Sequence, residues 1–282
     1  YPLRRQRQMC IRDSNNISTR GERITMHIHS IQGKVLHQVF LICCVGLGMY
    51  LCIGSALAKN DFQATGVLFQ DQFERTEKDQ GKEQPGNGWG TNSKTRAKGV
   101  KQVFLGDGKM HIRRAAVADH GVSVTQDVSF RNARIALRFM VPENGDLGIN
   151  IADMNEKSVH AGHICMARIK PVSLEIVDLK TGRMKKEIHE KNKAKKLTKA
   201  DRAQLAKKSI VVPLKLKTGI WHDLEILIID DTMSVKIDTR KIGSMTSPGI
   251  AHKTKRRIRL AVNTEAWVCL LYTSDAADEE DS

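Results

Sequence analysis

Between Lys59 and Val268, hydrophobic and polar residues alternate with a period of two along most of the chain. Successive side chains of a strand point to opposite faces, so this period marks strands with one buried face. Met110 and Ile112 oppose His111 and Arg113; Val122, Val124 and Val128 oppose Ser123, Thr125 and Asp127; Ile135, Leu137 and Phe139 oppose Arg134, Ala136 and Arg138. Leu224, Ile226 and Ile228, then Met233, Val235 and Ile237, then Ile258, Leu260 and Val262 repeat the habit, with Arg257 and Arg259 pointing away from the last set. Turn-forming clusters separate these runs: Gly106-Asp107-Gly108, Glu143-Asn144-Gly145-Asp146, Asp230-Asp231 and Ser247-Pro248-Gly249. Short alternating strands joined by such turns predict an all-β sandwich whose inward sets form one core.

One stretch departs from this pattern. From Met184 to Lys208 the spacing is helical, with Met184 and Ile188 four apart and a weaker stripe of Leu197, Ala200, Leu205 and Ala206. Thr198 followed by Asp201 reads as a capping-box-like helix start. The expectation is an inserted helical hairpin at about 184–208.

The ends change what counts as the domain. Residues 26–58 read as a secretory signal: His27, His29 and Lys34, an apolar run from Val39 through Ile53, then Ser55-Ala56-Leu57-Ala58, with cleavage expected after Ala58. The run is shorter than the roughly 20 apolar residues of a membrane span, so no stable membrane anchor is expected after cleavage. The mature chain should be periplasmic or extracellular. Tyr1 to Ser14 and Cys269 to Ser282 resemble translated adapter sequence, so 1–25 and 269–282 are set apart as a non-native leader and tail; a natural basic leader and acidic tail is the other reading. The remaining domain, 59–268, holds one cysteine, Cys165, and hence no internal disulfide, so its stability must come from its core.

Charge is uneven. Residues 59–268 carry 39 basic against 24 acidic side chains, and 14 of the basic against 3 of the acidic fall within 180–217. Basicity confined to one segment argues against a general nucleic-acid binder, so no nucleic-acid partner is expected. Lys185, Lys186, Lys193, Lys195, Lys196, Lys207 and Lys208 are long, mobile point charges that suit contact with a polyanion such as an acidic polysaccharide. A solvated helical face that aids solubility is the alternative.

Four stretches carry a resemblance: Leu68-Phe69-Gln70-Asp71-Gln72-Phe73-Glu74-Arg75, Gly219-Ile220-Trp221-His222-Asp223-Leu224, Asp231-Thr232-Met233-Ser234-Val235-Lys236-Ile237-Asp238 and Gly249-Ile250-Ala251-His252. With these the chain resembles the concanavalin A-like lectin/glucanase superfamily, and within it exported planctomycete-type proteins of the laminin-G-like and 3-keto-disaccharide hydrolase-like kinds. The resemblance implies a jelly-roll β-sandwich and a polysaccharide or glycoside partner, possible for a lectin, a glycosidase or an adhesion module alike. It also implies a closing strand, roughly Val-Asp-Asp-Val-x-Val-Trp, lying beside an opening strand at Val67 to Glu74. Cut at Val268, the chain lacks that closing strand, which should leave a sheet edge open.

The chemistry is less defined. Laminarinase-type glycosidases use a Glu-x-Asp-x-x-Glu strand; this pattern does not occur, and Glu175-Ile176-Val177-Asp178 has the wrong spacing to face both acids one way. The catalytic candidates are Asp119, His120, His160 and His163, since imidazole beside a carboxylate suits acid–base or metal chemistry. Asn150, Asp153 and His252 join them as candidate ligand-binding residues; solvent-facing or backbone-bonded histidines are the alternative. Trp89, in a glycine-rich loop, could stack on a sugar or anchor the loop. His111 and Arg113 are outward polar positions that, with Ser123 and Thr125, could line a binding face. Cys165 reads as an inert core residue. No cofactor or metal is assigned.

Overall fold

The computed structural model describes residues 64–276. The leader and signal readings at 1–58 and the last six positions lie outside the described residues. All fifteen strands pair antiparallel, in two sheets.

The eight-stranded sheet runs β13 (Arg240–Thr246), β12 (Thr232–Ile237), β11 (His222–Ile229), β6 (Ala133–Met140), β15 (Glu265–Ala276), β4 (Lys109–Arg113) and β3 (Val103–Gly106), with β1 (Ala64–Asp71) also on β15. The seven-stranded sheet runs β10 (Ser209–Pro213), β9 (Ser173–Asp178), β8 (His163–Lys170), β7 (Leu147–Ala152), β14 (Lys255–Val262), β5 (Val122–Phe130) and β2 (Gly90–Thr91). The inward sets predicted from the alternation form one buried cluster between the sheets, among them Val122, Val124, Ile135, Leu137, Phe139, Ile226, Val235, Ile258 and Leu260. Two packed sheets with interleaved inner faces are the expected aligned sandwich.

The turns fall where the punctuation residues put them. Asp107 and Gly108 both have positive φ, 55° and 70°, the two-residue hairpin geometry that matches strand twist and joins β3 to β4. A short helix α1 (Ser93–Arg96) follows β2, and the expected hairpin is present as α2 (Lys186–Lys193) and α3 (Lys199–Ala206). Thr198 and Asp201 form the capping box: the Thr198 hydroxyl accepts from Asp201 N, and the Asp201 carboxylate accepts from Thr198 N. Neither helix buries a residue, so the hairpin is a solvated projection rather than part of the core.

The expectation of a missing closing strand needs correction. The strand that begins at Glu265 runs on through Ala276, so 269–276 lie inside the sandwich, and β1 pairs with it from Asp71↔Leu271 to Ala64↔Ala276. The opening strand is therefore paired along its length. A bulge between Cys269 and Tyr272, with Leu270 at φ 53°, shifts the phase so that Val268, Leu271 and Thr273 are buried while Leu270 is 42% exposed.

Candidate functional site on the outer face of the seven-stranded sheet

Because Leu260, Val124 and Ile149 point inward, the residues between them in each strand point out, and the antiparallel register sets them in rows. One row runs Thr125, Arg259, Asn150, Met166, Val177 across β5, β14, β7, β8 and β9. The next runs Ser123, Ala261, Gly148, Arg168, Glu175.

In the second row each cation has a carboxylate. Arg168 lies over Gly148, where a Cβ would stand 3.0 Å from its Nη2, and donates to Asp146, which also accepts from Asn263 N and Thr264 N at 2.7 and 3.1 Å. Glu175 accepts from Arg183 at 2.7 Å. Beyond the first row Arg257 donates to Asp127 at 2.5 Å. Asp178, three residues after Glu175, turns inward instead. It is wholly buried and accepts from Thr181 N, Thr181 Oγ1, Ser247 Oγ and Gly249 N at 2.5 to 3.0 Å, tying the base of the hairpin to the turn before β14. The two acids thus lie on opposite faces of β9, as their spacing predicts, and form no carboxylate pair.

Arg259 differs from its neighbours. Its side chain is nearly covered, 8% exposed, and its partners are the Ala161 carbonyl at 2.7 Å, the Met154 thioether at 3.1 Å and the His163 ring at 3.2 and 3.3 Å. No carboxylate among the described residues lies within ion-pair distance of it. Burial, then the charge of Arg257, brings its pKa down to about 10. His163 Nδ1 meets Asn150 Oδ1 at 3.0 Å; an amide oxygen only accepts, so Nδ1 carries the proton, and Arg259 Nη1 lies against the ring, almost equidistant from its two nitrogens. Burial pushes His163 down to about 3, and the fields of Arg259, His160, Arg183 and His120 all act in the same direction. A neutral imidazole and a charged guanidinium can share the floor of this face; two cations could not without mutual repulsion.

The turn that supplies Ala161 also joins the hairpin to the site. His160 to Gly162 form a single 3₁₀ turn in which Ala161 and Gly162 have φ of 49° and 69°; a Cβ on Gly162 would stand 2.4 Å from the Asp153 carbonyl, so glycine is needed. The His160 ring stacks on His189 of α2 at 4.0 Å between centroids, and its backbone N–H donates to Met184 O. Lysines of the hairpin therefore border the face. Lys186, Lys193, Lys195, Lys196 and Lys207 are exposed and make no ion pair among the described residues, whereas Lys185 meets Glu187 at 3.6 Å and Lys208 meets Asp178 at 3.9 Å.

The other candidates separate. Asp153 and His252 meet at 2.9 Å beside this face, where Lys180 donates to His252 Nδ1, leaving Nε2–H to donate to Asp153. Burial raises Asp153, but bonds from His252, Asn155 N and Arg256 outweigh it and hold the carboxyl low. Asp119 and His120 are exposed in the connection before β5; His120 bonds only the Gly121 carbonyl, and Asp119 reaches Arg96 at 3.5 Å. His111 and Arg113 are on β4, in the opposite sheet from Ser123 and Thr125, so these four do not line one surface. His111 stacks on Trp267 at 4.4 Å and bonds Glu265 at 2.7 Å. Trp89 is buried and its Nε1 donates to Asp71 Oδ2 at 2.8 Å; packed against Phe69 and Phe73, it anchors the loop and offers no free face to a sugar. Cys165 is wholly buried and its thiol is pushed up to about 12, the inert state expected. Among the described residues no three His, Cys, Asp or Glu side chains converge to hold a metal. Arg259 was visible in sequence only as an outward position; the signal for more is Arg257-x-Arg259, two cations on one face of a strand with a single acid, Asp127, opposite.

No protein-family profile and no curated sequence matches the chain. Solved structures do. A laminarinase from Rhodothermus marinus aligns over 75% of this chain and 98% of its own, at 10% identity and a TM-score of 0.50. The carbohydrate-binding module CBM66 from Bacillus subtilis aligns over 66% of this chain and 95% of its own, at 9% identity and a TM-score of 0.41. A match to a sialidase, at 12% identity and a TM-score of 0.43, covers 61% of this chain and spans 16% of that protein. At such identities the likeness concerns fold: the chain is a concanavalin-like jelly-roll sandwich.

Proposed function

We propose that the protein is an exported carbohydrate-binding domain, related to the laminin-G-like and 3-keto-disaccharide hydrolase-like kinds, that takes a polysaccharide on the outer face of its seven-stranded sheet. The observation that carries this reading is the row Thr125, Arg259, Asn150, with His163 beside it: sugar-compatible donors and acceptors set in register by β5, β14 and β7. The carboxylates on this face are each engaged by an arginine, an arrangement that favours holding a glycan over the paired free carboxylates of a retaining glycosidase, which stand about 5 Å apart. The hairpin lysines at its border would add an electrostatic contact with an anionic chain. Such contact weakens as salt shortens the Debye length, about 8 Å at physiological strength.

The test compares sulfated, uronate and neutral polysaccharides across a salt series, for the intact chain and for one with residues 185–208 replaced by a Gly/Ser linker. Saturable binding without product release is expected, with a steeper salt dependence for the intact chain. Product release from a glycan would replace this reading with that of an enzyme; unchanged affinity and salt slope after the deletion would remove the hairpin from the binding surface.

A further inference from the structure

We infer that Arg259 is the anchor for a carboxylate carried by the saccharide, so that the ligand of this face is a uronate-containing glycan. The inference rests on the carbohydrate reading above and narrows its ligand class.

Buried cations in proteins are ordinarily paired, because a charge removed from water without an opposite charge is strongly destabilising. Arg168, Arg183 and Arg257, on the same face and less buried, each have their carboxylate. Arg259, the most buried of the four, has a carbonyl, a thioether and an imidazole held neutral. Its surroundings add no negative charge; Arg257, two residues away on the same strand, adds a positive one. A guanidinium offers five N–H groups. The two on Nη2 point at Ala161 O and Met154 Sδ and one on Nη1 at the His163 ring, leaving Nε–H and the other Nη1–H without a protein partner among the described residues.

The neighbours fix its orientation. Asn150 sets the His163 tautomer, the neutral His163 ring packs against Nη1, and Met154 Sδ and Ala161 O of the 3₁₀ turn accept from Nη2. A guanidinium held between these groups cannot swing out to water, yet its charge is unmatched. This is a preorganised cation short of one carboxylate: with both Nη2 hydrogens taken, the remaining donors, Nε–H and one on Nη1, lie on different edges of the guanidinium, so an incoming carboxylate meets single charge-assisted bonds. Thr125, opposite Arg259 on β5, would meet a ring hydroxyl beside that carboxylate, while the buried Asn150 on β7 holds His163 in place.

The experiment titrates the intact chain calorimetrically with a galacturonate trisaccharide, its methyl ester, its carboxyl-reduced form and a sulfated neutral trisaccharide, at one ionic strength. The free acid is expected to bind at least tenfold more tightly than ester or reduced forms. Arg259→Lys, which keeps the charge and loses the fixed planar group, should weaken the acid about tenfold and shrink its preference over the ester. Because a substitution in the floor could unfold the sheet, the melting temperature of the unaltered chain supplies a second readout: the acid should raise it and the ester should not. Equal affinity for acid and ester overturns the inference while leaving a carbohydrate domain. Equal affinity for the sulfated sugar overturns the uronate assignment. Loss of acid preference in the chain lacking 185–208, with Arg259→Lys unaffected, transfers anion recognition to the hairpin. Failure to bind any saccharide overturns this inference and the reading beneath it together.

Discussion

At the scale of single residues, the outer face turns on a histidine that does not titrate where histidines usually do. His163 is held near 3 in the folded chain, first by burial and then by the charges around it. In the unfolded chain it would take its proton near the ordinary value of about 6.5. Between those values the unfolded state binds more protons than the folded state, so stability falls as pH drops through the window, by up to about 1.4 kcal/mol per unit from this group. His160, also held low by burial and by His189, adds to the same slope. The acids beside the site do not blur the upper part of this range. Glu156, held at about 2 by Ser158 and Lys180, and Asp153 stay ionised there. His163→Gln keeps an amide that can donate to Asn150 and accept from Arg259 but removes the titration. Melting temperature against pH, from about 6.5 to 5, should therefore be shallower in His163→Gln. Parallel curves would mean that His163 titrates alike in both states.

Among the elements, β15 shows most clearly how a strand can satisfy its backbone and still fit its site poorly. It pairs with β6 on one side and with β4 and then β1 on the other, yet Thr273 Oγ1 and Ser274 Oγ are buried with no hydrogen-bond partner among the described residues. An unpartnered buried hydroxyl is destabilising by roughly 1–3 kcal/mol, while a shape-matched apolar replacement is nearly free of that penalty. Thr273→Val should raise stability in urea denaturation by about 1 kcal/mol, and Ser274→Ala should act in the same direction; a loss in both would show that the hydroxyls have partners. The same strand explains where sequence reading stopped. Strands β5, β6, β11, β12 and β14 were legible because each keeps its period of two, and α3 because Thr198 and Asp201 sit at capping distance. In Cys269-Leu270-Leu271-Tyr272-Thr273 the phase is right only once Leu270 is bulged out, a choice made by tertiary pairing. Strand β7 alternates too, Leu147, Ile149 and Ile151 against Gly148, Asn150 and Ala152, but all six residues are buried, and the covering of its outer side is a tertiary fact that the alternation does not carry. Arg259 and His163 stand 96 positions apart, joined only because β14 and β8 both flank β7, so local pattern could identify each but not their meeting.

For the whole molecule, the two sheets share one hydrophobic cluster, and among the described residues no disulfide joins them, so cooperativity between the sheets has to come from packing across that core. Two buried cysteines report on it independently. Cys165 is in β8 of one sheet and Cys269 in β15 of the other, both fully buried. A thiol attacks a reagent as thiolate, and burial both shields Cys165 and drives its pKa up to about 12, so labelling requires opening of the structure. If the sheets unfold as a unit, the two sites become reactive in the same event and their labelling follows the same urea dependence. If one sheet opens alone, as a partly independent unit would, its cysteine labels at lower denaturant than the other. Pulsed alkylation read site by site by mass spectrometry distinguishes these two cysteines from those of residues 1–58. The shared core predicts coincident midpoints for Cys165 and Cys269. Earlier labelling of Cys269 would locate the weakness in β15, where the bulge and the unpartnered hydroxyls already lie, and Thr273→Val should then bring the two midpoints closer together.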